Sequence, residues 1–286
     1  MVAVICQIGI VGAGTMGCGI AQVFAQSGYG VLLFDAAPTQ LQRALSVIDR
    51  NLGKDLERGR IGSEQRDLTL KNVRTCQEIG GLAESDVIVE AVSENFEVKK
   101  EIFRSLDVTV SQETILASNT SSISITELAS VTKRPEKVIG MHFMNPAPVM
   151  KLVEIIRGMR TSPDTVHSAV SLVNAINKVA VEVNDGPGFV SNRVLMPMIN
   201  EAICCVHEGV GSAEAVDSVM KLGMNHPMGP LTLADLIGLD VCLDIMETLY
   251  NGFGDSKYRP CPLLRKMVAA GLLGRKSGQG FYEYSR

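Results

Sequence analysis

The chain has 286 residues, of which 46% are apolar and 20% are charged, and its net charge is −4. This composition supplies enough apolar residues for a buried core and excludes an intrinsically disordered chain. The slightly acidic balance argues against nucleic acid as a partner, because proteins that bind nucleic acids usually carry a basic face. No apolar run of the sequence approaches the roughly 18 residues of a membrane-spanning helix, so we expect no membrane partner.

The cysteine and histidine patterns narrow the class of protein further. Seven cysteines are an odd number, and no two of them form a CxxC pair. This distribution is typical of reduced thiols, so we expect a cytoplasmic protein. The four histidines form no HxxxH motif and no cluster with cysteine, so we expect no metal site.

The first elements predicted along the chain are a strand, a glycine turn, a helix and a second strand. Apolar runs at Val4–Val11 and Val31–Phe34 flank the glycine-rich segment Gly12–Gly17 and the helical spacing of Ile20–Phe24. Asp35 follows the second run directly. Short apolar runs indicate buried strands, and apolar residues three or four positions apart indicate a helix, so these segments predict a βαβ unit.

The glycine-rich segment has the GxGxxG spacing of a dinucleotide-binding loop. In such a loop the glycines allow a tight turn, close approach of the cofactor pyrophosphate and close packing of the following helix. Asp35 is placed to accept hydrogen bonds from the adenosine ribose, and its charge would repel a 2′-phosphate, so we expect NAD rather than NADP. A simple glycine turn beside a surface acid is the alternative. The predicted loop residues are Gly12, Ala13, Gly14, Thr15, Met16 and Gly17.

A long helix is predicted over Pro38–Arg58. Its basic residues fall within about 80° of one another on a helical wheel. Such a stripe suits a ligand with several phosphates, but taken alone it is more often a solvated helix face. The stripe consists of Arg43, Arg50, Lys54 and Arg58.

Later apolar runs alternate with polar helical segments, which predicts a mostly parallel sheet with helices on both faces. These runs are Val87–Val92, Ile115–Ala117, Val138–Met141, Lys151–Ile156 and Val179–Val183. The turn cluster at residues 184–188 ends the alternation, so we place a domain boundary between residues 184 and 185.

Residues 185–286 are predicted to form a helical domain, with one terminal strand at Gly280–Tyr284. Residues 1–184 form the α/β domain in this assignment. The predicted helices are Val190–Val206, Ala213–Leu222, Leu231–Leu249 and Leu263–Ala270.

His142 is the histidine best placed for acid–base chemistry. It follows the run Val138–Met141, and ligands bind at the carboxyl ends of parallel strands. Glu154 lies in the next apolar run, where a buried carboxylate needs a partner. An imidazole would be such a partner, and the pair would fix the tautomer of the ring. The alternative is a structural histidine, with Glu154 paired to Lys151 or Arg157.

Two further polar positions are candidates for substrate contacts. Asn119 and the serines that follow it come directly after the strand Ile115–Ala117. Their side chains can bind a substrate oxygen or simply cap the next helix. Asn192, beyond the turn cluster, either reaches a ligand or faces solvent.

Together these motifs resemble the L-3-hydroxyacyl-CoA dehydrogenase family, in its short bacterial form, over the whole chain. The resemblance implies an α/β, Rossmann-like, mostly parallel sheet domain followed by an all-helical C-terminal domain for substrate and dimer contacts. Seven ordered segments carry it: IGIVGAGTMGCGIAQVFA, IVEAVSENFEVKKEIF, ASNTSS, GMHFMNPAPVMKLVEII, DGPGFVSNRVLMPMINEA, NHPMGPLTLADLIGLD and GRKSGQGFYEY.

The resemblance implies a role for each matching residue. His142 is expected to be the general base and Glu154 its orienting partner, with Ser121 and Asn192 bonded to the reacting groups of the substrate. The cofactor contacts implied beyond the glycine loop and Asp35 are Glu94, Lys99, Asn119, Asn145 and Lys276. The implied contacts to the CoA portion are Asn51, Lys54 and Arg58.

The implied activity is reversible NAD-dependent oxidation of a (3S)-3-hydroxyacyl-CoA to a 3-oxoacyl-CoA in fatty acid metabolism. Short-chain 3-hydroxybutyryl-CoA is the expected substrate, and a homodimer is the expected assembly. One alternative is the crystallin-like branch of the family, which oxidises free sugar acids. The segment FMNPAPVMKLVE resembles the CoA-dependent branch instead. The other alternative is a non-catalytic dinucleotide-binding protein, which would need neither the His–Glu pair nor the substrate loop.

Overall fold

The computed structural model describes residues 5–284 of the chain. Two compact units divide between Asp185 and Gly186. The first unit is an eight-stranded sheet with helices, and the second is helical. This arrangement confirms the predicted fold class. Among the helices of residues 5–284, none is both long and apolar enough to cross a membrane.

The sheet of the first unit has the strand order β3-β2-β1-β4-β5-β6-β7-β8. All neighbouring strands run parallel except β6 and β7, which are antiparallel. The first six strands follow the order of a dinucleotide-binding sheet. In such a sheet the strands before and after β1 and β4 are added in opposite directions, and a ligand-binding crevice lies where the order reverses, between these two strands. The strands are β1 (Gln7–Val11), β2 (Gly30–Phe34), β3 (Val73–Cys76), β4 (Val87–Glu90), β5 (Ile115–Ser118), β6 (Val138–Phe143), β7 (Leu152–Arg157) and β8 (Val179–Asn184).

The helices of the first unit cover the sheet with their apolar sides. In α2, for example, Leu41, Ala44, Ile48 and Leu52 are buried at helical spacing, whereas Lys54 is exposed, as is Arg58, which follows the last residue of the helix. These residues join the strand core in a single apolar cluster. The helices are α1 (Thr15–Gln26), α2 (Pro38–Glu57), α3 (Ser63–Asn72), α4 (Phe96–Thr109), α5 (Ile125–Ala129) and α6 (Pro163–Ala175).

The second unit has its own apolar core. The prediction of one helix over Leu231–Leu249 is wrong, because the chain breaks at Gly238. This glycine has φ +106°, a conformation that ends one helix and starts the next. The helices of this unit are α7 (Ser191–His207), α8 (Ala213–Gly223), α9 (Pro230–Ile237), α10 (Leu239–Phe253) and α11 (Pro262–Ala269).

The predicted strand at Gly280–Tyr284 is also wrong. The tail forms only isolated bridges, from Gln279 to Gly274 and to Glu283. Its backbone is held by a side chain instead, since the N–H groups of Phe281 and Tyr282 donate to the buried carboxylate of Asp235 at 3.0 Å. A carboxylate that accepts these bonds takes the place of a neighbouring strand.

Candidate active site

The glycine loop lies at the carboxyl end of β1, at the crevice beside β4. Gly12 has φ +100°, and a Cβ on Gly17 would stand 1.8 Å from the carbonyl oxygen of Gly12. The protein itself therefore requires glycine at both positions. At Gly14 an added Cβ would meet no protein atom within 4 Å. The open space at Gly14 fits a cofactor pyrophosphate held at the N-terminus of α1, which begins at Thr15.

Asp35 follows β2 at the same edge of the sheet. Its Oδ2 accepts from the N–H of Ala13 at 2.8 Å, and its Oδ1 accepts from the N–H of Ala37 at 2.9 Å. The carboxylate thus ties the glycine loop to the end of β2. A carboxylate oxygen has room for a second donor, so these bonds are compatible with a ribose contact.

A cavity of about 440 Å³ lies between the glycine loop, α2 and the segment Asn145–Pro148. Arg43 and Arg50 line it, and so does Asn51, whose Nδ2 donates to Gln22 Oε1 at 3.1 Å. Of the CoA contacts implied by the resemblance, the structure brings Asn51 to this cavity. Lys54, in the last turn of α2, and Arg58, just after the helix, are exposed and do not line the cavity.

His142 and Glu154 lie directly opposite each other on the antiparallel strands β6 and β7. The distance from His142 Nδ1 to Glu154 Oε2 is 2.8 Å, and the residues are 8% and 3% exposed. The structure therefore brings together the two residues that the sequence left as either a pair or separate groups. Arg157, the alternative partner, lies 3.8 Å from Glu182 instead. His142 lies within β6, one residue before its end at Phe143.

The loop that follows β5 is fixed by Glu94. Its Oε1 accepts from Thr120 Oγ1 at 2.5 Å and from the N–H groups of Ser121 and Ser122 at 2.9 and 3.2 Å. Burial raises the pKa of Glu94, but the Lys99 ammonium and these hydrogen bonds together hold it below its ordinary value. Glu94 is therefore a charged anchor of the predicted substrate loop.

Lys99 is buried, with 1% of its surface exposed. Its Nζ lies 2.6 Å from Glu90 Oε1 and 3.4 Å from Glu94 Oε2. Glu90, which is fully buried at the end of β4, is not among the site residues predicted from the sequence. The sequence does contain a feature that indicates Glu90. This residue ends the apolar run VIVE, and a buried carboxylate in such a run needs a partner.

Asn119, Asn145, Asn192 and Lys276 are the remaining predicted site residues. The side chain of Asn119 accepts from the N–H of Phe143 at 2.9 Å, which links the end of β5 to the residue after His142. Asn145 is exposed and lines the cavity. In the second unit, Asn192 is buried in the first turn of α7, and Lys276 forms an ion pair with Asp240.

Metal-ligating side chains are not clustered in the described structure. Among residues 5–284, no group of three or more His, Cys, Asp or Glu side chains is arranged to hold a metal ion.

Family models match almost the whole chain. The NAD-binding domain of 3-hydroxyacyl-CoA dehydrogenase matches residues 7–186, and the C-terminal domain of the same family matches residues 188–284.

Individual relatives give the same result. The chain is 56% identical to a probable 3-hydroxybutyryl-CoA dehydrogenase from Bacillus subtilis, over 97% of each chain. It is 50% identical to a 3-hydroxybutyryl-CoA dehydrogenase from Clostridioides difficile, over 98% of this chain and 100% of the other. The crystal structure of (S)-3-hydroxybutyryl-CoA dehydrogenase from Ralstonia eutropha superposes with a TM-score of 0.96 at 47% identity, over 99% of this chain and 100% of that one. These matches confirm the predicted family. The chain belongs to the 3-hydroxyacyl-CoA dehydrogenase family and is an NAD-dependent oxidoreductase.

Proposed function

We propose that this chain catalyses the reversible NAD-dependent oxidation of (3S)-3-hydroxyacyl-CoA to 3-oxoacyl-CoA, with His142 as the general acid/base. The observation that carries the proposal is the buried pair of His142 and Glu154, 2.8 Å apart. Oxidation of an alcohol needs such a group, since a proton must leave the hydroxyl oxygen as hydride leaves the carbon.

Glu154 orients the ring and stabilises its charged form. Its carboxylate accepts a hydrogen bond from the N–H at Nδ1 of His142, which leaves Nε2 as the nitrogen that takes the proton of the substrate hydroxyl. The imidazolium that results is stabilised by the buried carboxylate beside it. In the reducing direction the same Nε2 gives its proton to the developing alkoxide.

When bound, NAD⁺ supplies the hydride acceptor for C3 of the substrate. The glycine loop and Asp35 hold the cofactor in this proposal, together with Glu94, Lys99, Asn119, Asn145 and Lys276. Ser121 and Asn192 donate hydrogen bonds to the reacting oxygen atoms of the substrate. Asn51 contacts the CoA portion, and Lys54 and Arg58 supply positive charge near its phosphates.

Short-chain substrates, 3-hydroxybutyryl-CoA in particular, are part of the proposal. Support comes from relatives named 3-hydroxybutyryl-CoA dehydrogenase at 48 to 56% identity. The sugar-acid alternative has no comparable support, because these relatives are similar over nearly the whole length of both chains.

We also infer a homodimer, assembled through the second unit. Several large apolar side chains of this unit are solvent-exposed in the single chain, Leu222 by 87%. We infer that these side chains form an apolar patch, because such a patch is typical of protein–protein contacts. The exposed side chains on and after α7 and α8 are Val194, Val210, Val219, Leu222 and Met224. Light scattering after size-exclusion chromatography tests this assembly, and a monomer at micromolar concentration would contradict it.

A cytoplasmic location is the remaining part of the proposal. All seven cysteines are free in the structure. Reduced thiols are typical of the cytoplasm, where disulfides rarely persist.

The test of the central proposal is an NADH-consumption assay with acetoacetyl-CoA and with longer 3-oxoacyl-CoA substrates, repeated with NADPH. Replacing His142 by Gln should lower kcat about 100- to 10,000-fold with little change in NADH affinity, the range that general acid–base groups contribute. His167→Gln is the matched control, because His167 is an exposed histidine on α6. Inactivity of the wild type on every 3-oxoacyl-CoA, or near-normal turnover by His142→Gln, would overturn the proposal.

A further inference from the structure

The buried ion pair of Glu90 and Lys99 connects two parts of the site that are separate in sequence. Glu90 is fully buried and Lys99 is 1% exposed. One oxygen of Glu90 accepts from Lys99, and the other accepts from Ser118, the last residue of β5. We propose that Glu90 is a positioning residue for the dehydrogenase reaction, which holds Glu94 through Lys99 and the substrate loop through Ser118. This inference rests on the proposed function.

The first connection runs through Lys99. Its Nζ donates to Glu90 Oε1 at 2.6 Å and to the carbonyl oxygen of Val92 at 3.4 Å, and it lies 3.4 Å from Glu94 Oε2. Glu90 Oε1 also accepts from the N–H of Val92 at 2.7 Å. The ammonium therefore draws together the end of β4 and the segment that carries Glu94. These contacts hold the ammonium of Lys99 inside the protein, where 1% of the residue is exposed.

The second connection runs through Ser118, the last residue of β5. Its hydroxyl donates to Glu90 Oε2 at 2.6 Å and accepts from the N–H of Thr120 at 3.2 Å. Thr120 in turn accepts from the N–H groups of Ser122 and Ile123. Glu90 is thus connected through Ser118 to Thr120, the residue before Ser121. Glu94 binds the N–H groups of Ser121 and Ser122 directly.

The charge of Glu90 explains why this arrangement depends on a carboxylate. Glu90 receives three donors, namely Lys99, the N–H of Val92 and the hydroxyl of Ser118. A glutamine has one acceptor oxygen and one NH2 group, which can only donate. At least one of the three donors would therefore lose its hydrogen bond or face the NH2 group. The glutamine would also leave the ammonium of Lys99 without its nearest counter-charge. Stability alone does not explain the pair, because an apolar pair of similar size would stabilise the fold about as well as a buried ion pair does.

Glu90→Gln tests the inference, with Glu97→Gln as its matched control. Glu97 lies on α4 like Lys99, but its carboxylate pairs with Lys100 near the surface. We expect Glu90→Gln to lower kcat/KM for acetoacetyl-CoA about 10- to 100-fold, because small displacements of positioned groups cost that much. The Kd for NADH, read from its fluorescence on binding, should rise as well, because Glu94 is displaced. Glu97→Gln should match the wild type in both.

Ser118→Ala separates the two connections and serves if Glu90→Gln does not fold. It removes only the hydroxyl, so it should raise KM for acetoacetyl-CoA about fivefold or more while the Kd for NADH stays within about twofold of the wild type. In the double variant the two effects should be less than additive, because both act on one connection. A purely structural role would lower the melting temperature without this division between substrate and cofactor.

The outcomes distinguish this inference from the proposed function. If the wild type and Glu97→Gln fail to turn over any 3-oxoacyl-CoA, the proposed function is wrong. If they are active and Ser118→Ala has wild-type KM and kcat, or Glu90→Gln has wild-type kcat/KM, the positioning role is wrong by itself. Loss of kcat/KM in Glu90→Gln together with the selective KM effect in Ser118→Ala supports it.

Discussion

Gly17 lies so close to Gly12 that the backbone carbonyl of Gly12 occupies the place where a side chain on Gly17 would begin. The gap to an added Cβ would be 1.8 Å. Gly14, between them, faces open space on the side where its Cβ would stand. The fold therefore requires glycine at Gly12 and Gly17 but not at Gly14, where we expect the bound cofactor to require it.

Gly14→Ala and Gly17→Ala should separate these two restrictions. Gly14→Ala should keep the melting temperature of the wild type but weaken NADH binding about tenfold or more, because the methyl group takes the space of the pyrophosphate. Gly17→Ala should lower stability by about 1–3 kcal/mol or more, because the overlap is with backbone. Thermal unfolding and NADH titration measure both. Wild-type NADH affinity in Gly14→Ala would show that the cofactor does not use this space.

The arginines that line the cavity, Arg43 and Arg50, should contribute more to CoA binding than Lys54 and Arg58, which lie outside its lining. We expect Arg50→Ala to raise KM for acetoacetyl-CoA about tenfold, the value of one charge-assisted hydrogen bond to a phosphate. Arg58→Ala, outside the lining, should have a smaller effect that disappears at high salt. Acetoacetyl-pantetheine, which lacks the nucleotide phosphates, is the control substrate. Equal effects of Arg50→Ala on both substrates would contradict a phosphate contact.

Local patterns were sufficient to predict the first βαβ unit. The change from period two to period 3.6 around the glycine loop and the acid after the second strand depend on neighbouring residues only. The strand Val73–Cys76 was missed, because it is short and largely polar and only Val73 is buried. The break at Gly238 was missed because a single glycine within a helical pattern often does not interrupt it.

The pairs that build the site could not be chosen from local patterns. His142 and Glu154 meet because β6 and β7 are antiparallel with these residues in register. Sequence spacing alone allowed Lys151 and Arg157 equally well as partners for Glu154. Glu90 and Ser118 meet because β4 and β5 are parallel neighbours with these two residues directly paired. The register between two strands depends on the tertiary fold and not on local sequence. The sequence therefore indicates which residues belong to the site more readily than it indicates which of them pair.

The lowered pKa of Glu94 predicts a loss of stability in acid. A carboxyl group whose pKa is lower in the folded chain stabilises it above the ordinary pKa of Glu, about 4.3. This contribution is lost as the pH falls through the lowered folded value. In Glu94→Gln the melting temperature should therefore fall less steeply than in the wild type below about pH 4.3. Parallel slopes from pH 6 to pH 3 would show that Glu94 is not held in its charged form.

Lys178 anchors the segment that follows His142. Its Nζ donates to the carbonyl oxygens of Ala147 and Met150, at 2.6 Å in each case. The residue is buried, and burial lowers the pKa of its ammonium. Ala147 also lies close to Gly19 of α1, where an added Cβ would stand 3.2 Å from its methyl group. Lys178 thus holds this segment against the helix that begins at the glycine loop.

Lys178→Met should therefore lower the stability of the protein. The variant lacks the ammonium that donates to the carbonyl oxygens of Ala147 and Met150, so the free energy of unfolding should fall by about 2 kcal/mol. The unfolded chain holds more protons than the folded one between the lowered pKa and the ordinary value of 10.5, so wild-type stability should gain on the variant as the pH rises through that range. Thermal unfolding from pH 7 to pH 10 measures this difference. The control is Lys151→Met, which removes an exposed lysine next to Met150. Equal melting temperatures for both variants would contradict an anchoring role for Lys178.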